Sequence, residues 1–165
     1  MDNELSPTWT TVITLAALGA GVVGGVLYAF SAFVMRGLDR VPTASGVMAM
    51  QQVNLAAPRA PLMIPLMGTA LLSLVLLVRA VPMVRDGQPA GWLLAVGAGL
   101  YLVSFLITAA YHVPRNDALA LLDPSAPGTA AAWQTYVTDW TRMNHVRSVA
   151  AIAASLAFVL ALVRR

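Results

Sequence analysis

Four apolar runs divide the sequence, at about residues 10–35, 62–81, 91–113 and 144–163. Each run is close to the roughly 20 residues that an α-helix needs to cross the hydrocarbon of a bilayer. With 59% hydrophobic and 10% charged residues, and a mean hydropathy of +0.75, the chain is too apolar for a soluble domain of its size. We therefore predict an all-α integral membrane protein in which residues 1–165 form a single up-down four-helix bundle.

The first and third connectors are predicted to contain short amphipathic helices. In the first, TASGVMAMQQVNLA is expected to begin a helix at Thr43 and end it before Pro58, and in the third DALALL precedes a Pro/Gly break. Gln51 and Asn54 share one face of the first connector helix. That helix either lies on the membrane surface with its amides toward water, which we favour, or forms a lid whose amides point into the bundle.

Composition also excludes several classes of site and partner. A chain without cysteine has no disulfides and no thiolate metal sites. The pI of about 10.0 comes from scattered arginines without a basic block, so we expect no nucleic-acid partner. The first run follows the acidic start MDNELSP, so we expect a membrane span there instead of a cleaved signal. We expect a multi-pass protein of a bacterial plasma membrane, and arginines at both ends of the spans leave its orientation open.

Gly21 and Gly25 in the first run have the spacing that lets two helix backbones approach closely. Two interpretations follow from this pattern. The glycines either pack inside the bundle, which we favour, or mark a surface for a homo-oligomer.

The last run is preceded by WQTYVTDWTRMNHVRS, which spans Trp133–Ser148. Helical spacing predicts one stripe that is aromatic at its start and polar at its end, formed by Trp133, Tyr136, Trp140, Asn144 and Arg147. His145 lies beside this stripe. Because an arginine inside a bilayer helix costs roughly 2.5–3.5 kcal/mol, these groups either reach the headgroups or line a pocket.

The third run carries a second polar stripe toward its exit, and Pro114 is expected to end or kink the helix there. In an up-down bundle, the exits of the first and third helices meet the entrances of the second and fourth. One end of the bundle is thus predicted to collect most of the polar side chains: Tyr28, Gln51, Asn54, His112, Arg115, Asn116, Tyr136, Trp140, Asn144, His145 and Arg147. Ionisable groups at such a place usually mark a functional site.

Three interpretations of this polar end remain open. A base candidate, donor amides, a guanidinium and aromatic faces suit a flat aromatic substrate that must lose a proton. A haem held by His112 and His145 is a second interpretation. The third is a non-catalytic scaffold or accessory subunit that binds a lipid or a protein partner. No spacing in the sequence predicts a protein-supplied metal site.

Three segments carry a family resemblance: MQQVN at Met50–Asn54, VPRNDALA at Val113–Ala120, and the run from Trp140 to Ala151 that contains MNHVRSVAA. Together they resemble the anthrone oxygenase-like family of small four-helix membrane proteins. The likeness covers about residues 30–160, and the NHVR core with its upstream tryptophan is the most specific part. His112 and Arg115 depart from the pattern expected of the family.

This resemblance implies that O2 oxidises an anthrone, or a comparable electron-rich ring, to a quinone without a redox cofactor. The expected partners are a small hydrophobic aromatic substrate, O2 and membrane lipid. On this hypothesis His145 is the base, while Asn144 and Arg147 hold the oxyanion. Trp140 stacks on the ring. The remaining polar side chains would contact the substrate: Asn54, Asn116, His112, Arg115, Gln51, Tyr28 and Tyr136.

Each assignment has a purely structural alternative. Asn144 would cap the fourth helix, Arg147 would bind lipid phosphate, and His145 would be an interfacial histidine. Tyr28 would anchor the first helix at the membrane surface.

Overall fold

The computed structural model describes residues 6–59 and 61–164, and within these ranges it contains helices and no strands. Four long helices, Pro7–Arg40, Met63–Arg85, Pro89–Ala120 and Thr129–Val163, are long and apolar enough to cross a membrane. The predicted all-α fold is thus confirmed, and the chain is a multi-pass membrane protein. The fourth helix has 35 residues, a length of about 52 Å. It therefore extends well past the roughly 30 Å of hydrocarbon.

Shorter elements make up these long helices. The first contains α1 (Pro7–Ala29), a first π-helical segment (Phe30–Val34) and α2 (Met35–Arg40). Helix α3 (Thr43–Ala56) and a 3₁₀ turn (Ala57–Arg59) lead to α4 (Met63–Arg85). The third contains α5 (Pro89–Ile107), a second π-helical segment (Thr108–His112) and α6 (Val113–Ala120). The chain continues with α7 (Thr129–Val163).

The four long helices form a closed ring of neighbours. Helix α1 packs against α4 and α7, and α5 packs against the same two helices from the opposite side. Helices α4 and α5 are joined by a tight turn in which Gly87 has a φ of 71°, a value that favours glycine because it has no Cβ. The turn makes the two helices antiparallel, as the up-down topology predicts.

Small residues let α1 and α7 approach each other closely. A Cβ atom on Gly24 would lie 2.8 Å from Ile152 Cγ1, and one on Gly21 would lie 3.2 Å from Ser155 Oγ. A Cβ atom on Gly25 would meet nothing within 4 Å. Of the two glycines that the spacing selected, Gly21 therefore packs inside the bundle, whereas Gly25 faces outward.

The buried apolar residues form two clusters. The larger one fills the bundle between the four long helices and includes Ile13, Leu76, Leu94 and Phe158. The second lies at the polar end, where α2, α3, α6 and the start of α7 meet. Its members are Met35, Val47, Met50, Leu119, Trp133, Tyr136 and Trp140.

Helix α3 begins at Thr43, as predicted, but the favoured interpretation of its position is wrong. It covers the end of the bundle, with Met50 1% exposed, and the amides of Gln51 and Asn54 face the protein instead of water. The Gln51 amide nitrogen donates hydrogen bonds to Leu119 O at 2.9 Å and Leu122 O at 3.0 Å. Leu119 O also accepts from Leu122 N at 3.1 Å. The carbonyls at and just after the end of α6 therefore supply the partners that water was expected to supply.

The short helix predicted in the third connector corresponds to α6, which continues directly from the third span. Pro114 does not end this helix. It lies in the first turn of α6, after the second π-helical segment. A missing N–H costs little in a first turn.

Candidate functional site

A cavity of about 350 Å³ lies at the polar end of the bundle, beneath α3. Its volume falls in the range of small-molecule sites, which is about 300–1,000 Å³. Most of its lining is apolar, with Phe30, Phe105 and Trp140 as its aromatic members. The hydrogen-bonding and charged side chains that line it are Asn54, Thr108, His112, Asn116 and Arg147. No carboxylate appears among the described residues that line it.

Both π-helical segments contribute to this cavity. Ser104, Thr108, His112 and Asn116 are spaced by four residues, and in an ideal α-helix each such step drifts by about 40°. The wider π turn over Thr108–His112 corrects this drift, so that Thr108, His112 and Asn116 all line the cavity. Segments of this kind occur frequently at functional sites.

Arg147 is a buried cation at the inner side of the cavity. Its side chain is 6% exposed. The Nε atom donates to Asn144 Oδ1 at 2.9 Å, and Nη1 donates to Thr108 Oγ1 at 3.0 Å. Both acceptors are neutral, and no carboxylate pairs with Arg147 in the described part of the chain. A buried charge of this kind is costly unless something compensates it.

Asn144 holds this guanidinium in place. Its side chain is fully buried, and Nδ2 donates to Leu27 O and to Ser31 Oγ, both at 2.7 Å. Its Oδ1 atom is thereby left free to accept from Arg147. Asn144 does not line the cavity and does not cap a helix, because α7 begins fifteen residues earlier at Thr129. Its position suits orienting Arg147 rather than touching a ligand.

His112 is the imidazole that lines the cavity, and it is 1% exposed. Its two ring nitrogens lie 3.3 Å from Ile107 O and 3.3 Å from Trp140 O. A neutral imidazole has one N–H, so it donates to only one of these carbonyls. The other nitrogen then carries a lone pair, and the carbonyl beside it can accept a hydrogen bond once that nitrogen takes up a proton.

Aromatic residues of α7 and Asn116 form a connected group beside His112. Trp140 meets the His112 ring edge-on, with ring centroids 5.0 Å apart. Asn116 Oδ1 accepts hydrogen bonds from Tyr136 Oη at 2.9 Å and Trp140 Nε1 at 3.0 Å. Tyr136 itself does not line the cavity. It fixes Asn116, whose oxygen is fully engaged, so the amide nitrogen of Asn116 is the group left for a ligand.

Asn54 reaches the cavity from α3. Its side chain lies beside the Tyr136 hydroxyl, yet its buried Nδ2 atom has no acceptor at bonding geometry among the described residues. Unpaired buried donors are uncommon. With Asn116 and Arg147, Asn54 gives the cavity three hydrogen-bond donors suited to the oxygens of a ligand.

The structure separates His145 from this group. His145 is exposed and lies in a groove on the other side of α7, with Arg36, Asp39 and Arg142. It follows Asn144 by one residue, a rotation of about 100° around the helix. The sequence placed it beside the buried stripe, and the structure places it on the side that faces away from the cavity.

Besides Tyr136, three other predicted contact residues lie outside the cavity lining. Tyr28 is 60% exposed on α1. Arg115 lies over the Tyr111 ring, with Cζ 3.4 Å from the ring centroid, and donates to Tyr111 O. The amide nitrogen of Gln51 donates its hydrogen bonds to Leu119 O and Leu122 O. Its role in this structure is to hold α3 over the cavity.

Most of the cavity wall could not be selected from the sequence. Phe30, Met50, Met63 and Phe105 line it, but apolar side chains are the rule in membrane helices and carry no signal of a site. Thr108 belonged to the predicted polar stripe. Its contact with Arg147 depends on how α5 and α7 pack.

The residues present do not fit a haem held by two histidines. His112 is inside the cavity and His145 is in the groove across α7. Among residues 6–59 and 61–164, no group of three or more His, Cys, Asp or Glu side chains is arranged to hold a metal ion.

Fold and cavity together define a class: a small multi-pass membrane protein with a largely apolar, ligand-sized cavity that is lined by the buried cation of Arg147. A family model described as Anthrone oxygenase matches residues 59–157, more than half of the chain. The chain therefore belongs to the anthrone oxygenase family, and the resemblance noted in the sequence is confirmed. The match includes VPRNDALA and MNHVRSVAA, whereas MQQVN precedes it. No curated protein and no solved structure matches the chain.

Proposed function

We propose that the cavity binds an anthrone-like aromatic ketone and that O2 oxidises this substrate to a quinone without a redox cofactor. The observation that carries the proposal is the buried guanidinium of Arg147, which faces an apolar cavity and has no carboxylate partner in the described part of the chain. Such a cation stabilises negative charge that develops on a bound molecule, and it does so more strongly than in water. Membership of the anthrone oxygenase family supports the same chemistry.

His112 is the base in this proposal. It and Arg147 are the titratable groups that line the cavity in the described part of the chain, and an arginine stays protonated. The ring nitrogen without a hydrogen takes a proton from the methylene group of the substrate. The nearby Trp140 or Ile107 carbonyl then accepts a hydrogen bond from the new N–H. The base thus differs from the one that the sequence suggested, because His145 lies outside the cavity.

Loss of this proton converts the ketone into an enolate. Its negative oxygen binds at Arg147, whose geometry Asn144 and Thr108 fix. The Asn54 and Asn116 amides donate to further oxygens of the substrate. Phe30, Phe105 and Trp140 supply flat apolar walls for the ring system.

The electron-rich carbanion then reduces O2. A carbon–oxygen bond forms at the former methylene carbon, and the resulting peroxide anion takes up a proton from His112. The hydroperoxide loses water as its O–O bond breaks and its remaining C–H proton leaves, which gives the second carbonyl of the quinone. The electrons of the C–H bond reduce the O–O bond in this last step. Over the whole reaction, each turnover consumes one O2 and releases one water.

The two histidines of the chain provide a matched pair of variants. We expect His112→Asn to lower the anthrone-dependent rate by about 10²–10⁴, the usual contribution of a general base. His145→Asn should keep the rate of the wild type. O2 uptake and quinone absorbance of protein in detergent or nanodiscs measure both. A visible spectrum of the same preparation tests for a bound chromophore.

Loss of activity with His145→Asn alone would overturn the assignment of the base. If the wild type does not exceed the non-enzymatic rate with several anthrones, the proposed reaction is wrong. The cavity would then serve a different substrate or a non-catalytic binding role.

A further inference from the structure

The mouth of the cavity is defined by the residues of its lining that are exposed. Four residues have this property: Pro58, Met67, Ala109 and Val113. Pro58 and Met67 belong to the chain that enters and begins α4, whereas Ala109 and Val113 belong to the second π-helical segment and α6. The lining residues from α1, α3 and α7 are buried or half-buried. The opening therefore lies at the side of the bundle, between α4 and the third long helix.

The chemistry of this mouth is that of a lipid-facing surface. All four of its exposed residues are apolar. The exposed side chains one turn from Met67 and Ala109 are apolar as well: Ile64 is 77% exposed and Leu71 65% exposed on α4, and Leu106 is 59% exposed on α5. Exposed charges, Arg59 and Asp117, lie beside the outer end of the mouth, next to Pro58 and one turn after Val113. In a helix that spans a bilayer, exposed apolar side chains face hydrocarbon.

Among residues 6–59 and 61–164, the polar end of the bundle offers no comparable opening. The second apolar cluster fills the space above the cavity, with Met50 and Trp133 each 1% exposed. Gln51 ties α3 to the end of α6 across this face. A path from water would have to displace these residues.

We propose that the cavity opens sideways into the hydrocarbon of the membrane, and that an apolar ligand enters and leaves through a portal formed by Met67, Ala109 and Val113. The ligand class is then a molecule that partitions into the bilayer before it binds. This inference rests on the proposed function only for the identity of the ligand, since the portal follows from the exposure of the lining.

The absence of native cysteines allows a direct test. Met50→Cys places one thiol in the cavity wall, where the side chain is 1% exposed. The variant in vesicles is treated with neutral benzyl methanethiosulfonate, which partitions into lipid, or with the charged sulfonatoethyl reagent, which stays in water. Mass spectrometry follows the labelling rate. We expect labelling by the neutral reagent and little by the charged one.

A matched pair of valines locates the entry point. Val113 is 46% exposed and lines the cavity, whereas Val103 is 47% exposed and does not. In the Met50→Cys background, Val113→Trp should slow labelling by the neutral reagent by about tenfold or more, as obstruction of an access route does. Val103→Trp should not change this rate. Val113→Phe is a smaller obstruction for use if the tryptophan variant does not fold.

Three outcomes would overturn the portal: equal labelling by the charged reagent, an unchanged rate with both Val113 variants, or no labelling of the folded protein by either reagent. This readout requires no turnover. If the labelling pattern is as expected but no anthrone is oxidised, the portal stands and the proposed reaction fails. If anthrones are oxidised but labelling does not depend on position 113, the proposed reaction stands and the portal is wrong.

Discussion

At the scale of single residues, Arg147 shows how a helical stripe and a neighbouring helix combine. The spacing on α7 predicts that Arg147 and Asn144 share a face, and the structure places both in the interior. The spacing does not decide on which side of the stripe the neighbouring helices lie. His145 and Ser148 both flank it, yet Ser148 is 2% exposed and His145 is exposed. Contacts with α1 and α5 make that choice.

We expect Arg147→Met to lower anthrone turnover by about 10²–10³, the usual effect of removing a group that stabilises an oxyanion. Thermal stability should not fall. Losing a buried cation removes a desolvation penalty of several kcal/mol. That gain exceeds the cost of about 1–3 kcal/mol for leaving Asn144 Oδ1 without its donor. O2 uptake and a thermal melt in the same detergent measure the two effects.

Arg142→Met is the control for this variant, because Arg142 is exposed on the same helix. It should leave both properties unchanged. A large loss of thermal stability in Arg147→Met together with retained turnover would show that Arg147 has a structural role instead.

At the scale of elements, the sequence pattern of α3 is compatible with two positions, on the membrane surface or over the end of the bundle. Its bounds and its polar face follow from the sequence, but an amphipathic helix near a membrane satisfies its amides equally well in water or against protein. The carbonyls at and just beyond the end of α6 decide between these, since the Gln51 amide nitrogen donates to Leu119 O and Leu122 O. The same limit applies to the π-helical segments. The spacing of polar residues near His112 is compatible with an α-helical or a π-helical turn, and packing against the neighbouring helices selects the π-helical turn.

We expect Gln51→Leu to loosen α3, because the variant loses the hydrogen bonds to Leu119 O and Leu122 O that tie α3 to the end of α6, each worth about 0.5–1.5 kcal/mol. Amide hydrogen exchange over Thr43–Ala56 should become faster, and the KM for an anthrone should rise more than kcat falls. Gln52→Leu is the matched control, since Gln52 is the exposed neighbour. Equal exchange rates in the two variants would contradict the role assigned to Gln51.

At the scale of the whole molecule, stability depends on close packing between small residues. A membrane offers little hydrophobic driving force between helices, so van der Waals contact and hydrogen bonds hold the bundle together. Alanines on α1 and α7 and glycines on α1 allow that contact, and Ser155 Oγ donates to Ala17 O at 2.8 Å across it. The polar network around Asn144 adds a second link between the same helices.

Adjacent glycines on α1 test this packing. Gly24→Ala should destabilise the bundle by about 1–3 kcal/mol, because its Cβ would lie 2.8 Å from Ile152 Cγ1 and 3.1 Å from Ile152 N. Gly25→Ala meets no atom within 4 Å and should be neutral or stabilising by up to about 1 kcal/mol through helix propensity. Thermal melts in one detergent compare them. Equal melting temperatures would show that α1 and α7 do not pack as described.

The sequence by itself determined the four helices, the bundle topology, the family and the polar end, because each follows from local properties. A run of about twenty apolar residues must form a helix in lipid, and short connectors make neighbouring helices antiparallel. The short motifs that identify the family can be recognised without knowing how the helices pack. Only the tertiary structure decided which polar groups meet. His112 and Arg147 share a cavity while His145 faces outward, because side-chain direction depends on helix rotation and on a π-helical turn. Helix rotation is set by contacts between segments that lie far apart in the chain, so spacing along one helix cannot supply it.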